Sequence, residues 1–254
     1  MRVEDINPYE KGHAKGQQVE QMFDSIARRY DFMNSAMSLG QHKNWRNKAM
    51  KAAVAALKKI SDPAETSSLK ILDAACGTGD VTFRMHEMLP NAQVTGIDLS
   101  EGMLDIARKK LAMMPKAERE LMAFVKGDSL CLPFQDEEFN MITVAYGVRN
   151  FSNLTQGLKE MRRVLKRGGV LCVIELSTPQ NSLTRPFYNL YTGHVIPFLG
   201  KKVTGDARAY SYLPESIAAC PQRNEMARLL SDSGFEDVKW KSLSFGALTY
   251  YIAK

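Results

Sequence analysis

The 254-residue sequence predicts an α/β fold in which a mostly parallel, seven-stranded sheet carries helices on both faces and ends in an antiparallel hairpin. Two observations lead to this class. Short apolar segments alternate with helical segments between residues 69 and 177, which is the rhythm of a parallel sheet. Two further apolar segments, 237–243 and 247–253, are separated by so few residues that they must run antiparallel.

Residues 1–60 are predicted to form a helical arm or lid ahead of a main domain over 61–254. The first 17 residues are polar, and we expect a loose arm there. Apolar residues then recur at three- and four-residue spacing, which predicts an amphipathic helix over 18–38. A second helix is expected over 42–58.

The main domain is predicted to alternate strands and helices. Ser100 is suited to cap one of the helices, and Gly168-Gly169 to end another. The segment 178–215 interrupts the rhythm with four prolines and six aromatic residues, and we expect a helical, aromatic insert there. The strands are predicted at 69–75, 92–99, 121–128, 139–147 and 170–177, and the helices at 80–89, 101–114, 153–166 and 222–233.

Composition narrows the class of partner. A hydrophobic content of 44% and a charged content of 24% are typical of a folded globular chain. The net charge of +6 is scattered and forms no long basic stripe, so we expect no nucleic-acid partner and favour contact with an anionic membrane surface.

The cysteines and the apolar runs narrow the location. None of the four cysteines forms a CxxC pair, which favours reduced thiols and no metal site. No apolar run approaches the ~20 residues that span a bilayer, so membrane contact would be peripheral. The N-terminal segment has no apolar signal core, and we expect a bacterial cytoplasmic protein at the inner face of the membrane.

The stretch "LDAACGTGDVTF" (72–83) places a glycine turn directly after the first strand of the main domain. Gly77 and Gly79 suit a tight turn with close backbone approach to a ligand. A dinucleotide motif needs a third glycine where Thr82 stands, and a phosphate-binding loop needs lysine where Asp80 stands. Because a carboxylate at this point repels phosphate, the turn favours a ligand without phosphate.

Aspartates follow the successive strands. Asp73 and Asp80 flank the turn and favour a positively charged ligand. Asp98 ends the second strand and is placed to accept both hydroxyls of a ribose, and Asp128 ends the third strand within reach of an adenine edge. A ribose, an adenine and a positive charge together indicate S-adenosylmethionine. Each aspartate taken singly is equally well interpreted as a helix cap or turn former.

These features resemble the class I S-adenosylmethionine-dependent methyltransferases, which have a Rossmann-like fold. The segments "YDFMNSAMSLGQHKNW" (30–45) and "RVLKRGGVLCVIELS" (163–177) resemble the signatures of the UbiE-type quinone-biosynthesis C-methyltransferases. The likeness extends from Val19 to Lys254. The second segment departs from the family at Arg167, where Pro or Val is usual.

The resemblance implies methyl transfer from S-adenosylmethionine to a ring carbon of a prenylated quinol. The acceptor is either demethylmenaquinol or 2-methoxy-6-polyprenyl-benzoquinol, and we favour the first. The family often has Ser at the position of Ala145, so only a backbone contact is expected there. The cofactor-binding residues predicted from the motif and the resemblance are Asp73, Gly77, Thr78, Gly79, Asp98, Asp128, Ser129 and Ala145.

Methylation of a phenolic ring carbon requires removal of a hydroxyl proton with a pKa near ~10. "GVRNF" (147–151) follows the fourth strand and supplies the first candidates. Arg149 stays protonated and is expected to stabilise the phenolate, with a water held by Arg149 and Asn150 taking the proton. A surface ion pair is the alternative interpretation of Arg149.

His42 and His194 are the alternative proton acceptors, because an unperturbed histidine titrates near ~6.5. Tyr30, Tyr146 and Tyr191 are candidates for orienting the substrate. A lone histidine is more often a packed or surface residue, and Tyr146 is better interpreted as a core aromatic, whereas Tyr30 and Tyr191 are equally open to either interpretation. The 178–215 insert and the 18–38 helix are expected to form a lid over the prenyl tail, although that helix is also a candidate core element or homodimer contact.

Four other functions are compatible with parts of the sequence. A dinucleotide-dependent oxidoreductase is disfavoured by the missing third glycine and by Asp80. A nucleic-acid methyltransferase would need a motif such as [DN]PP[YF] where "YGVRNF" stands. A non-catalytic scaffold of quinone biosynthesis and a methyltransferase of another small aromatic substrate remain open at this point.

Overall fold

The computed structural model describes residues 2–9, 13–38, 40–59, 69–191 and 207–254. Helices α1 to α9 span Lys15–Met37, Gln41–Lys58, Asp80–Met88, Glu101–Ala112, Lys116–Arg119, Leu154–Val164, Arg185–Leu190, Ala207–Ala219 and Asn224–Asp232. Strands β1 to β7 span Lys70–Ala74, Gln93–Asp98, Met122–Lys126, Phe139–Ala145, Leu165–Leu176, Lys239–Leu243 and Leu248–Ala253. Short 3-10 turns occupy Val3–Asp5, Val148–Asn150 and Ser244–Gly246.

The seven strands form one sheet in the order β3-β2-β1-β4-β5-β7-β6. Strands β1 to β5 are parallel, and β7 runs antiparallel to both β5 and β6. The predicted fold class is therefore confirmed. From β1 the chain adds β2 and β3 on one side of the sheet and then β4 and β5 on the other side. The carboxyl ends of β1 and β4 therefore frame the crevice where such sheets bind ligands.

Both faces of the sheet are covered. Along β5, Ile174 belongs to a buried cluster with Val54 of α2, whereas Val173 belongs to a second cluster with Leu158 of α6. Successive residues of a strand point to opposite faces, so an apolar run such as β5 is the expected sequence of a strand buried on both sides.

Helix α1 does not lie on a sheet face. Its Met22 and Ile26 pack in a separate buried cluster with Met103 of α4. This contact holds α1 beside the carboxyl ends of β1 and β2, since α4 begins directly after β2. Helix α2, by contrast, packs on the sheet. The predicted domain boundary at 60/61 falls on residues outside those described and stays a prediction.

The expectation of a loose arm over residues 1–17 is wrong for the described part. Val3 is only 1% exposed and lies in the main core. Lys15 begins α1, is buried, and donates from Nζ to the carbonyl of Val3. Glu4 accepts a hydrogen bond from the backbone N–H of Leu154. The side chain of Val3 and the ammonium group of Lys15 therefore hold in place a segment whose polar composition predicted a loose arm.

The helix predicted over 153–166 ends earlier, at Val164. Leu165 already pairs with Phe139 as the start of β5, and Gly168, with φ of 73°, forms an excursion within that strand. The glycines therefore do not end the helix. Ser100 caps α4 as predicted, because its Oγ accepts from the N–H of Met103.

The described parts of the 178–215 insert include α7 and the first nine residues of α8, 207–215. Residues 192–206 lie outside the described chain, and with them the candidate His194. None of the described helices combines the length and the apolar character that crossing a membrane requires.

Candidate functional site

The glycine turn after β1 is fastened to the end of β2. Asp98 accepts hydrogen bonds from the N–H of Gly77 (2.7 Å) and from that of Ser100 (2.9 Å), one on each carboxylate oxygen. Gly77 has φ of 55°, and a Cβ added there would meet open space. The turn therefore exposes backbone to any ligand beside Asp98, as the sequence predicted.

Gly79 serves a different purpose. It has φ of 83°, and a Cβ there would lie 2.8 Å from the ring of Phe124 and 2.9 Å from that of Phe83. Neither cavity beside the turn is lined by Gly79. A glycine is required at this position by the backbone conformation and by the packing of the two rings. Contact between Gly79 and the cofactor stays a prediction.

Asp73 is a buried acid at the end of β1. It accepts hydrogen bonds from the hydroxyls of Thr82 (2.7 Å) and Thr143 (2.8 Å). Burial raises the pKa of Asp73 to about 6, although the two hydroxyls favour the ionised form. Among the described residues no cation forms an ion pair with it, so the carboxylate has a charge available for a positively charged ligand.

The prediction that Asp80 favours a cationic ligand is wrong, because its carboxylate is already paired with two cations. Arg46 (2.8 Å) and Lys110 (3.0 Å) both pair with it. Burial alone would raise the pKa of Asp80, but these two cations outweigh burial and the pKa is lowered. The charge of Asp80 is therefore used to hold α2 and α4 against the turn.

The hydroxyl of Thr78 reaches helix α1 rather than open space. It donates to Asp31 (2.7 Å), whose other oxygen accepts from Lys110 (2.8 Å). The same ammonium donates to the carbonyl of Thr78 (3.1 Å). Asp31, which the sequence analysis did not single out, thus fastens α1 over the glycine turn.

Two small cavities lie beside the turn, and we call them the cofactor cavities. The larger, of about 70 Å³, adjoins the ends of β2, β3 and β4, and the smaller, of about 30 Å³, adjoins the end of β1. They bring together most of the predicted cofactor-binding residues. The larger is lined by Gly77, Asp98, Asp128, Ser129 and Ala145, and the smaller by Asp73, Gly77, Thr78 and Ala145.

This set of groups fits S-adenosylmethionine. Asp98 and Asp128 lie where a nucleoside would meet strand-end carboxylates, and Asp73 offers a negative charge to an ammonium or sulfonium group. The open space above Gly77 allows close approach of a ligand to the backbone. A phosphate bound there would be repelled by the carboxylates of Asp73, Asp98 and Asp128. Asp80 is already paired with Arg46.

A third cavity, of about 370 Å³, is mainly apolar, and we call it the apolar cavity. Helix α1 and the described parts of the insert both contribute to it, and their role as a lid over the prenyl tail stays a prediction. Its apolar and aromatic lining includes Met22, Ile26, Met33, Met37, Trp45, Leu176, Tyr188, Tyr191, Tyr212, Leu213 and Ile217.

The apolar cavity meets the larger cofactor cavity at four shared residues, Phe23, Tyr30, Tyr146 and Asn150. Tyr30 and Tyr146 also line the smaller cofactor cavity. A group bound at the glycine turn and a ring bound in the apolar cavity would therefore meet beside these two tyrosines.

Tyr146 combines two unusual features. Its φ of 59° is in the left-handed region that bulky side chains rarely adopt. Its hydroxyl is buried and has no hydrogen-bond partner within the described chain. Burial also raises its pKa, so the phenol stays protonated. An unpaired buried hydroxyl on a strained residue is better explained by a ligand than by packing alone.

Arg149 lies deeper than predicted. It was expected at the rim, with a surface ion pair as the alternative, but its side chain is buried and pairs with Glu175 (2.8 Å) of β5. Burial would lower the pKa of Arg149, but Glu175 outweighs burial and the pKa is raised. Nε has no partner among the described residues, and Arg149 lines the apolar cavity.

Asn150 and Tyr191 are largely committed to other groups. Asn150 donates to the carbonyl of Tyr146 (3.2 Å) and accepts from the hydroxyl of Tyr212 (3.2 Å). The hydroxyl of Tyr191 donates to the carbonyl of Met37 (3.0 Å) and thereby joins the insert to the end of α1. Both residues line the apolar cavity.

His42 also lines the apolar cavity, at the start of α2. Burial and then Arg46 lower its pKa to about 4, so the ring is neutral at pH 7 and has little affinity for a proton. Its Nδ1 lies 2.7 Å from the hydroxyl of Ser38.

Glu175 and Lys15 are the other residues that sequence reasoning missed. Glu175 is a lone acid within the apolar run "VLCVIELS", and a charge inside a strand buried on both faces was the available signal. Lys15 donates to the carbonyl of Arg149 (3.4 Å), and burial lowers its pKa to about 8. No pattern in the polar N-terminal segment indicated this contact.

No group of three or more His, Cys, Asp and Glu side chains in the described part of the chain is arranged to hold a metal ion. The expectation of a reaction without metal stays a prediction.

Comparison with known proteins places this geometry in context. Residues 11–254 match the model of the ubiE/COQ5 methyltransferase family. A demethylmenaquinone methyltransferase of Bacteroides fragilis is 42% identical over 251 residues, which are 98% of this chain and 97% of the relative. The ubiquinone/menaquinone biosynthesis C-methyltransferase UbiE of Geobacter sulfurreducens is 36% identical over 93% of this chain and 88% of its own.

Among solved structures, an S-adenosylmethionine-dependent methyltransferase of Thermotoga maritima aligns with a TM-score of 0.60. The alignment covers 93% of this chain and 99% of the other, at 19% sequence identity. At that identity the likeness shows the fold alone, which is the Rossmann-like fold predicted from the sequence.

Proposed function

We propose that the chain, which belongs to the ubiE/COQ5 methyltransferase family, methylates a ring carbon of demethylmenaquinol. Its activity is S-adenosylmethionine-dependent C-methylation of a prenylated quinol in quinone biosynthesis, and demethylmenaquinol is the finer assignment. The relatives named demethylmenaquinone methyltransferase include one that is 42% identical, whereas the two-pathway relative from Geobacter is 36% identical. Family membership also removes the dinucleotide-dependent oxidoreductase from consideration.

One observation carries the assignment of the site. The cofactor cavities and the apolar cavity share Tyr30 and Tyr146. A charged methyl donor and a prenylated ring need different contacts, and the strand-end aspartates line the cofactor cavities but not the apolar cavity. Reaction requires the donor and the ring carbon to lie roughly 3–3.5 Å apart, which is achieved only where the two linings meet.

At the polar end, the chain's task is to bind and orient. S-adenosylmethionine, when bound, supplies an electrophilic methyl group. Asp98 and Asp128 would hold its nucleoside, and Ser129 and the backbone of Ala145 line the same space. Asp73 would offer its negative charge to the amino-acid part, since no described cation occupies that role.

At the apolar end, the chain must make a phenolic hydroxyl acidic. A hydroxyl of pKa near ~10 is mostly protonated at pH 7, so the phenolate needs stabilisation. Arg149 presents Nε–H, and Tyr146 presents O–H, both without described partners. We assign to both the donation of hydrogen bonds to the developing phenolate. Arg149 stays protonated, so a water beside Arg149 and Asn150 takes the proton.

Glu175 keeps Arg149 in place. The ion pair lies in a buried setting, where a guanidinium without its carboxylate would be strongly unfavourable. It also fixes which nitrogen atoms are free, because Nη1 is used by Glu175 and by the carbonyl of Tyr146. Glu175 is therefore a positioning residue.

Peripheral membrane contact is part of the proposal, because a polyprenyl tail partitions into a bilayer. Phe245 is 80% exposed, and its neighbour Ser244 accepts a hydrogen bond from Trp45 (2.8 Å), which lines the apolar cavity. We expect Phe245→Ser to weaken co-sedimentation with anionic phospholipid vesicles. Cytoplasmic location and a homodimer stay predictions.

The test is activity of the purified protein with both reduced rings. Methyl transfer from labelled S-adenosylmethionine is measured with a short-chain demethylnaphthoquinol and with a short-chain methoxybenzoquinol. We expect turnover of the naphthoquinol to exceed that of the benzoquinol. Preference for the benzoquinol would contradict the choice of acceptor, and cofactor binding without turnover of either ring would favour a scaffold.

A further inference from the structure

His42 holds an unusual position among the polar groups of the apolar cavity. It is only 5% exposed, yet it lines the cavity near the start of α2. Its Nδ1 contacts Ser38 Oγ at 2.7 Å, and Ser38 Oγ also lies 2.6 Å from the carbonyl oxygen of Asn34. These two distances together determine which ring nitrogen carries the proton.

A serine hydroxyl has one proton to donate. At 2.6 Å from the carbonyl of Asn34, two oxygens without an intervening proton would repel each other, so Ser38 donates there. Ser38 then has only lone pairs to offer His42, and Nδ1 must carry the hydrogen. The neutral ring therefore keeps its lone pair on Nε2. Burial and Arg46, which lower the pKa of His42 to about 4, keep it in this neutral form at pH 7.

Nε2 forms no hydrogen bond with any residue that the structure describes, so it is an unused acceptor in a largely apolar space. Two buried polar atoms without a described partner, on other residues that line this cavity, differ from it. Arg149 Nε is a donor, and the hydroxyl of Tyr146 is able to donate. The cavity thus offers donors from the segment after β4 and an acceptor from α2.

We propose that Nε2 of His42 accepts a hydrogen bond from a hydroxyl of the reduced ring and thereby selects the quinol over the quinone. The inference rests on the proposed function. A quinone has two carbonyl oxygens, which are acceptors only, and one of them would face the lone pair of Nε2. A quinol ionised at one oxygen has a phenolate for the donors and a hydroxyl for His42.

Such selection has a chemical purpose. Only the reduced ring has the hydroxyl whose ionisation makes the ring carbon nucleophilic. An oxidised ring in the same cavity would occupy the site without reacting, so discrimination at His42 would keep the enzyme available for its substrate.

The test is calorimetric titration under anaerobic conditions, with S-adenosylhomocysteine present. The probes are 2-prenyl-1,4-naphthoquinol and the corresponding quinone. We expect the unsubstituted protein to bind the quinol about tenfold more tightly, as a hydrogen bond against an unpaired acceptor implies. In His42→Asn, whose amide retains a donor for Ser38 but has nothing at the place of Nε2, the two forms should bind equally.

Two further variants separate recognition from a loss of folding. His42→Gln places an amide oxygen near the position of Nε2 and should restore part of the preference. Ser38→Ala removes the group that fixes the tautomer, and should reduce the preference while His42 is still present. Thermal unfolding of each variant verifies that it is folded.

The outcomes distinguish the two levels of the argument. Equal affinities in the unsubstituted protein, or an undiminished preference in His42→Asn, would overturn the role of His42 while methyl transfer to the quinol still upheld the proposed function. Absence of binding and of methyl transfer with either form would overturn both.

Discussion

The polar cofactor end and the apolar cavity treat their hydrogen-bonding groups in opposite ways. At the cofactor end, both oxygens of Asp98 accept backbone N–H groups and the Thr78 hydroxyl donates to Asp31. In the apolar cavity, Tyr146 and Arg149 each keep a buried polar atom without a described partner. The glycine turn uses its hydrogen bonds to keep its shape while its acids stay available to a ligand, whereas Arg149 and Tyr146 keep unpaired hydrogen-bond donors where the cavities meet.

The difference follows from the covering of each region. The glycine turn lies among neighbouring strands and helices whose backbone groups are close enough to pair with it. The apolar cavity is formed by α1, the insert and the ends of strands, which contribute mainly apolar side chains. Some polar atoms there, such as the hydroxyl of Tyr146, have no described neighbour to pair with, and their desolvation is offset when a ligand binds.

The largest effect of any substitution is expected at the buried ion pair of Arg149 and Glu175. Arg149→Ala should lower kcat by about 10²–10³-fold, because it removes a donor aimed at developing charge. It should also lower the free energy of unfolding by roughly 3–5 kcal/mol, because Glu175 is left buried and unpaired. Steady-state kinetics and urea unfolding measure the two quantities.

The double variant Arg149→Leu/Glu175→Leu is the matched control. Replacing both members of a buried pair with apolar residues should restore most of the stability. Activity should stay low, because the donor is still missing. Activity that returned together with stability would show that the pair matters only for folding.

The next effect concerns the cofactor end. Asp73→Asn should weaken S-adenosylmethionine binding by roughly 10- to 150-fold, the loss expected for a hydrogen bond to a charged group of about 1.5–3 kcal/mol. In the unsubstituted protein, a bound cation favours ionised Asp73. Affinity should therefore be constant above pH 7 and fall as the pH drops through about 6, where Asp73 takes up a proton.

Calorimetric titration between pH 5 and pH 8 checks this expectation. The KM for the quinol should change little in Asp73→Asn, because Asp73 does not line the apolar cavity. Equal cofactor affinity in the variant and the unsubstituted protein would remove Asp73 from the site.

Substitutions of the two glycines test whether Gly77 serves cofactor binding and Gly79 serves packing. Gly79→Ala should lower the free energy of unfolding by about 2 kcal/mol, because its positive φ is strained and the new methyl group meets Phe124 and Phe83. Gly77→Ala should cost about 1–2 kcal/mol for its φ alone but should weaken cofactor binding, because the methyl group enters the open space. Thermal unfolding and cofactor titration of both variants measure these effects. A larger loss of cofactor affinity in Gly79→Ala than in Gly77→Ala would contradict these two roles.

Tyr146→Phe is expected to have the smallest effect on stability and the cleanest effect on activity. Its hydroxyl has no partner in the described structure, so removing it should leave the free energy of unfolding unchanged or slightly increased. We expect kcat to fall about tenfold, through loss of one hydrogen bond to the phenolate. An unaltered kcat would mean that the hydroxyl faces something other than the reacting ring.

The sequence predicted the sheet and the glycine turn because both are local patterns. Asp73 and Gly77 are four residues apart at the end of one apolar strand, Asp98 ends the next strand, and the sheet brings the two strand ends together. Asp80 was misjudged because its partners, Arg46 and Lys110, come from α2 and α4. Nothing near Asp80 in the chain indicates them.

The apolar cavity was predicted only in outline for the same reason. Glu175, which pairs with Arg149, lies 26 positions further along the chain, and Tyr212, which donates to Asn150, lies 62 positions further. The tautomer of His42 depends on nearby residues, but it needs the geometry of the connection between α1 and α2, which no sequence pattern specifies. Such contacts are set by the packing of whole elements.

The most direct test of the account is a crystal structure of the protein with S-adenosylhomocysteine and a short-chain demethylnaphthoquinol. We expect the sulfur beside Tyr30 and Tyr146, the ribose at Asp98, and the ring in the apolar cavity with an oxygen at Arg149. A nucleoside bound away from the glycine turn, or a ring bound outside the apolar cavity, would contradict it.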